Sequence, residues 1–163
     1  MLLIRGRRKL LLVVEDDILL LRPIQRAASE LGIDVLHAVT GEEGVRFAVE
    51  REPDVILLDL GLPDMDGARV LGCLKSSPDT VSIPVIIYSG RTDHDEKIES
   101  FRFGADDYLE KPFDMDMLMR RVEHHMFKTT ETVRKSGVVA TAAYSGADTF
   151  DSFDQKTPVR WMK

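Results

Sequence analysis

A single cysteine, Cys73, in 163 residues excludes an intrachain disulfide. The fold must then rest on its apolar core. A lone thiol fits a reducing compartment, and Cys73 reads most simply as a small hydrophobe packed on a helix. Long apolar runs are also missing. The run Leu10–Val14 follows the basic cluster Arg5, Arg7, Arg8 and Lys9, but it ends after five residues at Glu15-Asp16-Asp17. That is too short for a signal-peptide core and far short of the roughly 20 residues that span a bilayer. The expected location is cytoplasmic, with no membrane contact. An excess of positive charge is missing as well. The net charge is −6, which argues against nonspecific nucleic-acid binding. The acidity is local. Residues 1–127 hold 16 Lys/Arg against 24 Asp/Glu, a balance of −8, whereas residues 128–163 hold 6 against 4, a balance of +2.

What is present suits one globular domain with something left over. Hydrophobic residues make up 44% and charged residues 31%, enough for a substantial core. Leu10–Val14, Val55–Leu58 and Ile83–Tyr88 are short apolar runs of the kind found in buried parallel strands, Ile33–Val39 reads as a second strand, and Asp107–Glu110 as a short fifth. Helical spacing separates them. Ile24, Ala27, Ala28 and Leu31 form a first stripe that Gly32 stops. Pro23 within it either kinks that helix or marks the first turn of one that starts late. Thr40-Gly41-Glu42-Glu43 has the form of a capping box, opening a helix to about Arg51. Further helices are expected from about Asp66 to Lys75, over 94–103, and along Met115, Leu118, Met119, Val122 and Met126. Strand and helix alternate five times, which implies a doubly wound parallel (βα)5 sheet with helices on both faces.

In such sheets ligands bind beyond the carboxyl ends of the strands. The polar residues gather there. The first strand ends in Glu15-Asp16-Asp17, the third in Asp59, the fourth in Ser89 and the fifth in Lys111. Taken singly, each is ordinary: an Asp after a strand is usually a cap or turn residue, and a lysine is usually on the surface. Together they put carboxylates, a hydroxyl and an ammonium in one cleft. Crowded carboxylates need a cation or their pKa values rise. A hard divalent ion with oxygen ligands answers that need. A carboxylate beside it can act as a nucleophile toward a phosphoryl group, whose developing charge the metal, an ammonium and a hydroxyl would support.

The chain resembles the receiver domain of two-component response regulators, the CheY-like superfamily with a flavodoxin-like fold. The resemblance rests on Leu12-Val13-Val14-Glu15-Asp16-Asp17, on Val55 to Gly67 around Asp59, on Ile83 to Gly90, and on Gly104 to Phe113. It covers residues 9–127, between an N-terminal extension 1–8 and a tail 128–163. It implies that Asp59 is the phosphoacceptor and that Asp16 binds Mg²⁺ (or Mn²⁺) directly, with Glu15 acting largely through water. The backbone carbonyl of Gly61 would be a further metal ligand. Lys111 would pair with the phosphoryl group, Ser89 would hydrogen-bond it, and Tyr108 would turn inward as Ser89 moves. Pro112 would follow a cis peptide. The implied function is a signalling switch, more a substrate than an enzyme, with slow autophosphatase activity at most. A sensor histidine kinase or a histidine phosphotransfer protein would supply the phosphoryl group, and residues 94–127 would form the output face for a protein partner. A homodimer is compatible with this reading. Some positions depart from the commonest family pattern: Glu15 for Asp, Ser89 for Thr, and Gly61 with Arg91 where water access to the phosphoryl group is set.

Two other functions fit the residues less well. A haloacid dehalogenase-type phosphatase needs a second Asp two residues after the first, where this chain has Gly61. A phosphorylation-independent pseudo-receiver would not need the full set Asp16, Asp59, Ser89 and Lys111. The tail shows no helix-turn-helix pattern and little basic charge, so no direct nucleic-acid contact is expected from it. It reads in three ways: as a flexible segment, as an extension of the last helix that packs on the receiver or on a second chain, or as part of a larger DNA-binding regulator. Val138–Ala142 could pair as an edge strand, and Trp161 reads as a packing residue.

Overall fold

The structure is a computed structural model. It describes residues 7–90 and 94–136, with backbone alone at 94–96 and 129–136. In chain order the described residues form β1 (Leu10–Val14), α1 (Ile18–Glu30), β2 (Asp34–Ala38), α2 (Gly41–Arg51), β3 (Val55–Asp59), α3 (Gly67–Ser76), β4 (Val85–Ser89), α4 (His94–Arg102), β5 (Asp107–Glu110) and α5 (Met115–Ser136). All pairings are parallel, in the order β2-β1-β3-β4-β5. This is the doubly wound (βα)5 sheet expected from the sequence. The chain moves outward from β1 to β2 and then crosses back to β3. The loops after β1 and β3 therefore diverge, and a crevice opens between them.

The central strands β1, β3 and β4 read as nearly unbroken apolar runs because both faces of the sheet are covered there. Leu12, Val14, Ile56, Leu58, Val85 and Ile87 face α2 and α3, where Val45, Ala48, Val70, Leu71 and Leu74 meet them. Leu11, Val13, Val55, Leu57, Ile86 and Tyr88 face α1 and α5, against Leu21, Ile24, Ala28, Leu118, Val122 and Met126. The α5 stripe seen in the sequence thus closes one face of the sheet.

Local chemistry sets the helix ends. Asp17 caps α1, accepting from the Leu19 N–H at 2.9 Å. The helix starts at Ile18 and runs through Pro23, so the late-start reading does not hold. The Asp17 cap and the burial of Leu21 and Ile24 support the turns on either side of the proline. At its end Gly32 takes φ +71°, and the Gly32 and Ile33 N–H groups bond back to the Ser29 and Ala28 carbonyls. That left-handed residue suits glycine, as the sequence suggested. Thr40 caps α2 by accepting from the Glu43 N–H. The Glu43 carboxylate returns to the Val39 N–H rather than to that of Thr40, so the capping box closes one residue early. β4 begins at Val85, not Ile83, because Pro84 has no N–H for the ladder; its carbonyl still accepts from Ile56. α5 continues nine residues past position 127. Helix extension therefore accounts for the first part of the tail. Residues 137–163, with the suggested strand Val138–Ala142 and with Trp161, lie outside the described residues, as do residues 1–6 and Arg91.

Two glycines of α3 should respond in opposite ways. A Cβ on Gly67 would sit 2.5 Å from the Asp59 carbonyl oxygen and from Leu60 Cα, both backbone atoms, whereas a Cβ on Gly72 would meet nothing within 4 Å. Gly67→Ala should lower stability by roughly 1–3 kcal/mol through overpacking. Gly72→Ala should raise it by roughly 0.5–1 kcal/mol through backbone entropy. Urea unfolding of both variants checks the pair; equal effects would contradict the close approach at Gly67.

Candidate functional site

The crevice between the ends of β1 and β3 holds the residues singled out in the sequence. Glu15 follows β1, and its N–H donates to the Ala38 carbonyl of β2 at 3.0 Å. His37 Nε2 donates to the Glu15 carbonyl from the other side at 2.7 Å. The Glu15 side chain is only 1% exposed, and of its two carboxylate oxygens Oε1 accepts from the Asp17 N–H at 3.0 Å and Oε2 from Lys111 Nζ at 2.9 Å. Asp16 is exposed at the mouth. Asp59, the last residue of β3, is 7% exposed. One carboxylate oxygen from each of Glu15, Asp16 and Asp59 lies within 4.8 Å of the others.

The far wall comes from β4 and β5. Ser89 ends β4 and is buried, and the Lys111 N–H donates to its carbonyl at 2.8 Å. The Lys111–Pro112 peptide is cis, as the resemblance implied. Lys111 Nζ reaches from β5 across β4 to lie 2.9 Å from Glu15 and 3.4 Å from Asp59 Oδ2. Gly61 is close enough that a Cβ there would sit 3.5 Å from Asp59 Oδ2. Tyr108 is buried, with Lys97 Nζ 5.3 Å from its ring centroid.

The two buried carboxylates are held differently. Burial alone would raise the pKa of Glu15, but the Lys111 ammonium and the Asp17 N–H outweigh it and hold the group below the ordinary value. For Asp59 burial prevails. Aided by the negative charge of Glu15, it lifts the carboxyl above its ordinary value against the pull of Lys111 and the Gly61 N–H. Asp59 thus carries negative charge that one lysine shared with Glu15 does not fully offset. With Asp16 open to solvent beside it, this donor set fits a hard divalent cation, Mg²⁺ or Mn²⁺, which takes one or two carboxylates and keeps several waters.

Two residues of this region were not evident from the sequence. Asp64, in the loop after β3, accepts from the Gly41 and Glu42 N–H groups at 2.8 and 3.0 Å. It thereby ties the loop that carries Gly61 to the start of α2. Tyr88 lies beneath the site. Lys111 Nζ stands 4.5 Å from its ring centroid, and Phe113 meets the ring edge-on at 5.9 Å. The Tyr88 hydroxyl is pushed well above its ordinary pKa, first by burial, then by the charge of Glu15 and hydrogen bonding to it, and last by the charges of Asp59 and Asp16. A hydroxyl at the end of a fully apolar strand was the one signal that pointed to it.

Comparison with known proteins agrees with this geometry. The family model described as the response regulator receiver domain matches residues 11–123. The transcriptional regulatory protein KdpE of Mycobacterium tuberculosis (strain CDC 1551 / Oshkosh) is 41% identical over 121 residues, which are 74% of this chain and 52% of that protein. The cell cycle transcriptional regulator CtrA of Caulobacter vibrioides (strain NA1000 / CB15N) is 35% identical over 146 residues, 90% of this chain and 59% of that protein. The chain thus spans about half the length of the curated relatives it matches. Among solved structures, the receiver domain of the Francisella response regulator 1452 is 35% identical with a TM-score of 0.69, covering 74% of this chain and 98% of that one. A CheY-like response regulator receiver domain protein from Methanospirillum hungatei JF-1 is 25% identical with a TM-score of 0.70, covering 77% and 98%. A family match over most of the chain, the sheet order and the acidic crevice at its switch point lead to one conclusion: the chain belongs to the response regulator receiver family of two-component signalling.

Proposed function

We propose that this receiver accepts a phosphoryl group on Asp59 and relays its presence to a partner protein. The observation that carries the proposal is the under-compensated Asp59 carboxylate, buried at the head of the crevice with Lys111 3.4 Å away. An Asp59 carboxylate oxygen forms the new bond to phosphorus. The bond from phosphorus to the donor, a phosphohistidine nitrogen or an acyl phosphate oxygen, breaks, and the electron pair leaves with the donor. Lys111 neutralises the transferred oxygens and Ser89 donates a hydrogen bond to them. Asp16, Asp59, the Gly61 carbonyl and, through water, Glu15 would hold Mg²⁺, which supplies further charge neutralisation at the phosphoryl oxygens. The reaction transforms no external metabolite, and slow hydrolysis of the acyl phosphate is the only turnover it entails.

Either a sensor histidine kinase or a histidine phosphotransfer protein serves as donor, in the cytoplasm. Among the described residues no helix is long and apolar enough to cross a membrane. The output face lies on residues 94–127. Its exposed Ile98, Phe101, Met117 and Phe127 suit a protein partner. Switching follows as Ser89 shifts toward the phosphoryl group and Tyr108 repacks beside it, a population shift between two states. One observation favours a second setting for the same chemistry: relatives such as KdpE and CtrA are about twice as long as the matched part and are named transcriptional regulators. The receiver would then control a DNA-binding segment of a longer protein, while residues 9–127 themselves make no nucleic-acid contact.

Incubation with Mg²⁺ and acetyl phosphate, followed by intact-mass measurement, tests the proposal. One added phosphoryl group is expected, and chelation of the metal should suppress it. No addition from acetyl phosphate or from a phosphorylated histidine phosphotransfer protein would overturn the reading in favour of a pseudo-receiver.

A further inference from the structure

His37 has no part in the chemistry set out above, yet it grips the backbone of the site. It lies in β2, at one edge of the sheet, and is half-buried. Its Nε2 stands 2.7 Å from the Glu15 carbonyl oxygen. A carbonyl only accepts, so that ring nitrogen carries the proton.

The need for this bond follows from the ladder. The Glu15 N–H donates to the Ala38 carbonyl. In a parallel pair the Glu15 carbonyl would next accept from the N–H two residues beyond Ala38. β2 ends at Ala38, however, and Thr40 is already the cap of α2. The His37 imidazole supplies from a side chain the donor that the strand does not.

What the bond holds is the peptide joining Glu15 to Asp16. Glu15 is fixed at its N–H, at its carbonyl and at both carboxylate oxygens. Asp17 is fixed as the cap of α1. Asp16, between them, is exposed, and among the described residues no hydrogen bond or ion pair holds its carboxylate. Its direction is therefore set by the backbone on either side. Even so, its oxygen lies within 4.8 Å of one from Glu15 and one from Asp59. A group that orients a metal ligand from outside commonly controls much of the affinity of the site.

We propose that His37 is a positioning residue for the divalent cation: by holding the Glu15 carbonyl it fixes the Glu15–Asp16 peptide and so aims the Asp16 carboxylate at the metal. This inference rests on the reading of Asp16 as a direct ligand. A merely structural His37 makes a different forecast. Its loss would then remove one half-buried hydrogen bond that water can replace, and metal affinity would not change.

Mn²⁺, whose free ion is counted by electron paramagnetic resonance, serves as probe on the full chain. His37→Asn and His37→Gln both carry an amide N–H, but only glutamine has a reach similar to that of the imidazole Nε2. His37→Asn should bind Mn²⁺ roughly tenfold more weakly than the unaltered protein, the low end for an orienting group. His37→Gln should recover most of that loss, and His37→Leu, with no donor, should match His37→Asn. Unchanged affinity in His37→Asn and His37→Leu, or a loss that glutamine does not recover, overturns the inference. A second arm starts from Asp16→Asn. There His37→Asn should weaken Mn²⁺ binding no further, because no ligand is left to aim; a loss as large as in the parent overturns the inference. Failure of the unaltered protein to bind Mn²⁺ would count against the receiver reading and take the inference with it. Normal binding that is indifferent to His37 overturns the inference alone.

Discussion

Replacing Asp59 by asparagine should end phosphoryl uptake and, at neutral pH without divalent cation, raise the temperature of unfolding. The first effect follows from chemistry. The amide keeps the size of the carboxylate but is no nucleophile, and loss of roughly a thousandfold or more in the rate is the scale of removing an attacking group. The second follows from electrostatics. Burial and the charge of Glu15 raise the Asp59 pKa in the folded state, so ionised Asp59 is tolerated less well folded than unfolded. Its contribution to stability is present below the ordinary carboxylate value of about 3.9 and is lost as pH rises through the elevated folded value. Asparagine cannot ionise and escapes that loss. The variant's advantage should therefore be seen at pH 7 and vanish in acid, and Mg²⁺ should narrow it by stabilising the unaltered protein. Calorimetric unfolding across pH, with and without Mg²⁺, measures all three. A variant less stable than its parent at neutral pH would contradict the picture of an under-compensated buried charge.

Lys111→Met should do the opposite to stability while also disabling the site. Lys111 is the ammonium that Glu15 and Asp59 share. Removing one partner of a buried pair leaves the other without its counter-ion, which costs about 3 kcal/mol in well-buried cases. Lys111 retains 20% side-chain exposure, so the loss should fall somewhat below that figure. Its pH dependence has a definite sign. Glu15 is held below its ordinary pKa despite its burial, so its stabilising contribution is present above the unfolded value of about 4.3 and fades as pH falls through the lower folded value. The difference between Lys111→Met and the parent should be largest near neutrality and shrink in acid. Phosphoryl uptake should fall by roughly a hundredfold or more, because the transferred oxygens lose their fixed cation. A variant as stable as the parent at pH 7 would mean that the ion pair is replaced or dispensable.

The site was legible in outline for a topological reason. Parallel strands joined by helices all point the same way, so the residues that end Leu10–Val14, Val55–Leu58, Ile83–Tyr88 and Asp107–Glu110 must share one edge of the sheet. That places Glu15, Asp16, Asp59, Ser89 and Lys111 together without any knowledge of distance. The same buried strands hid Tyr88. Both faces of β4 are covered, so an apolar run carries no alternation to show that one side chain brings a hydroxyl under the site. Asp64 was hidden because its partners lie 22 and 23 residues back along the chain, and a Pro-Asp pair reads locally as a turn.

The sequence by itself determined the order of elements, the parallel sheet, the cap at Thr40, the stop at Gly32, and which residues lie at the strand ends. These are set by local periodicity and by the one-way winding of βα units, both readable over short windows. Only the tertiary structure decided how the charges pair. Glu15 and Lys111 stand 96 residues apart, and nothing local states that their 2.9 Å contact leaves Asp59 the weaker share of one ammonium. Nor does anything local reveal the buried Tyr88 hydroxyl beside them. Coulombic and hydrogen-bond terms depend on separations of a few ångströms and on exclusion of water, and these exist only once the sheet has closed.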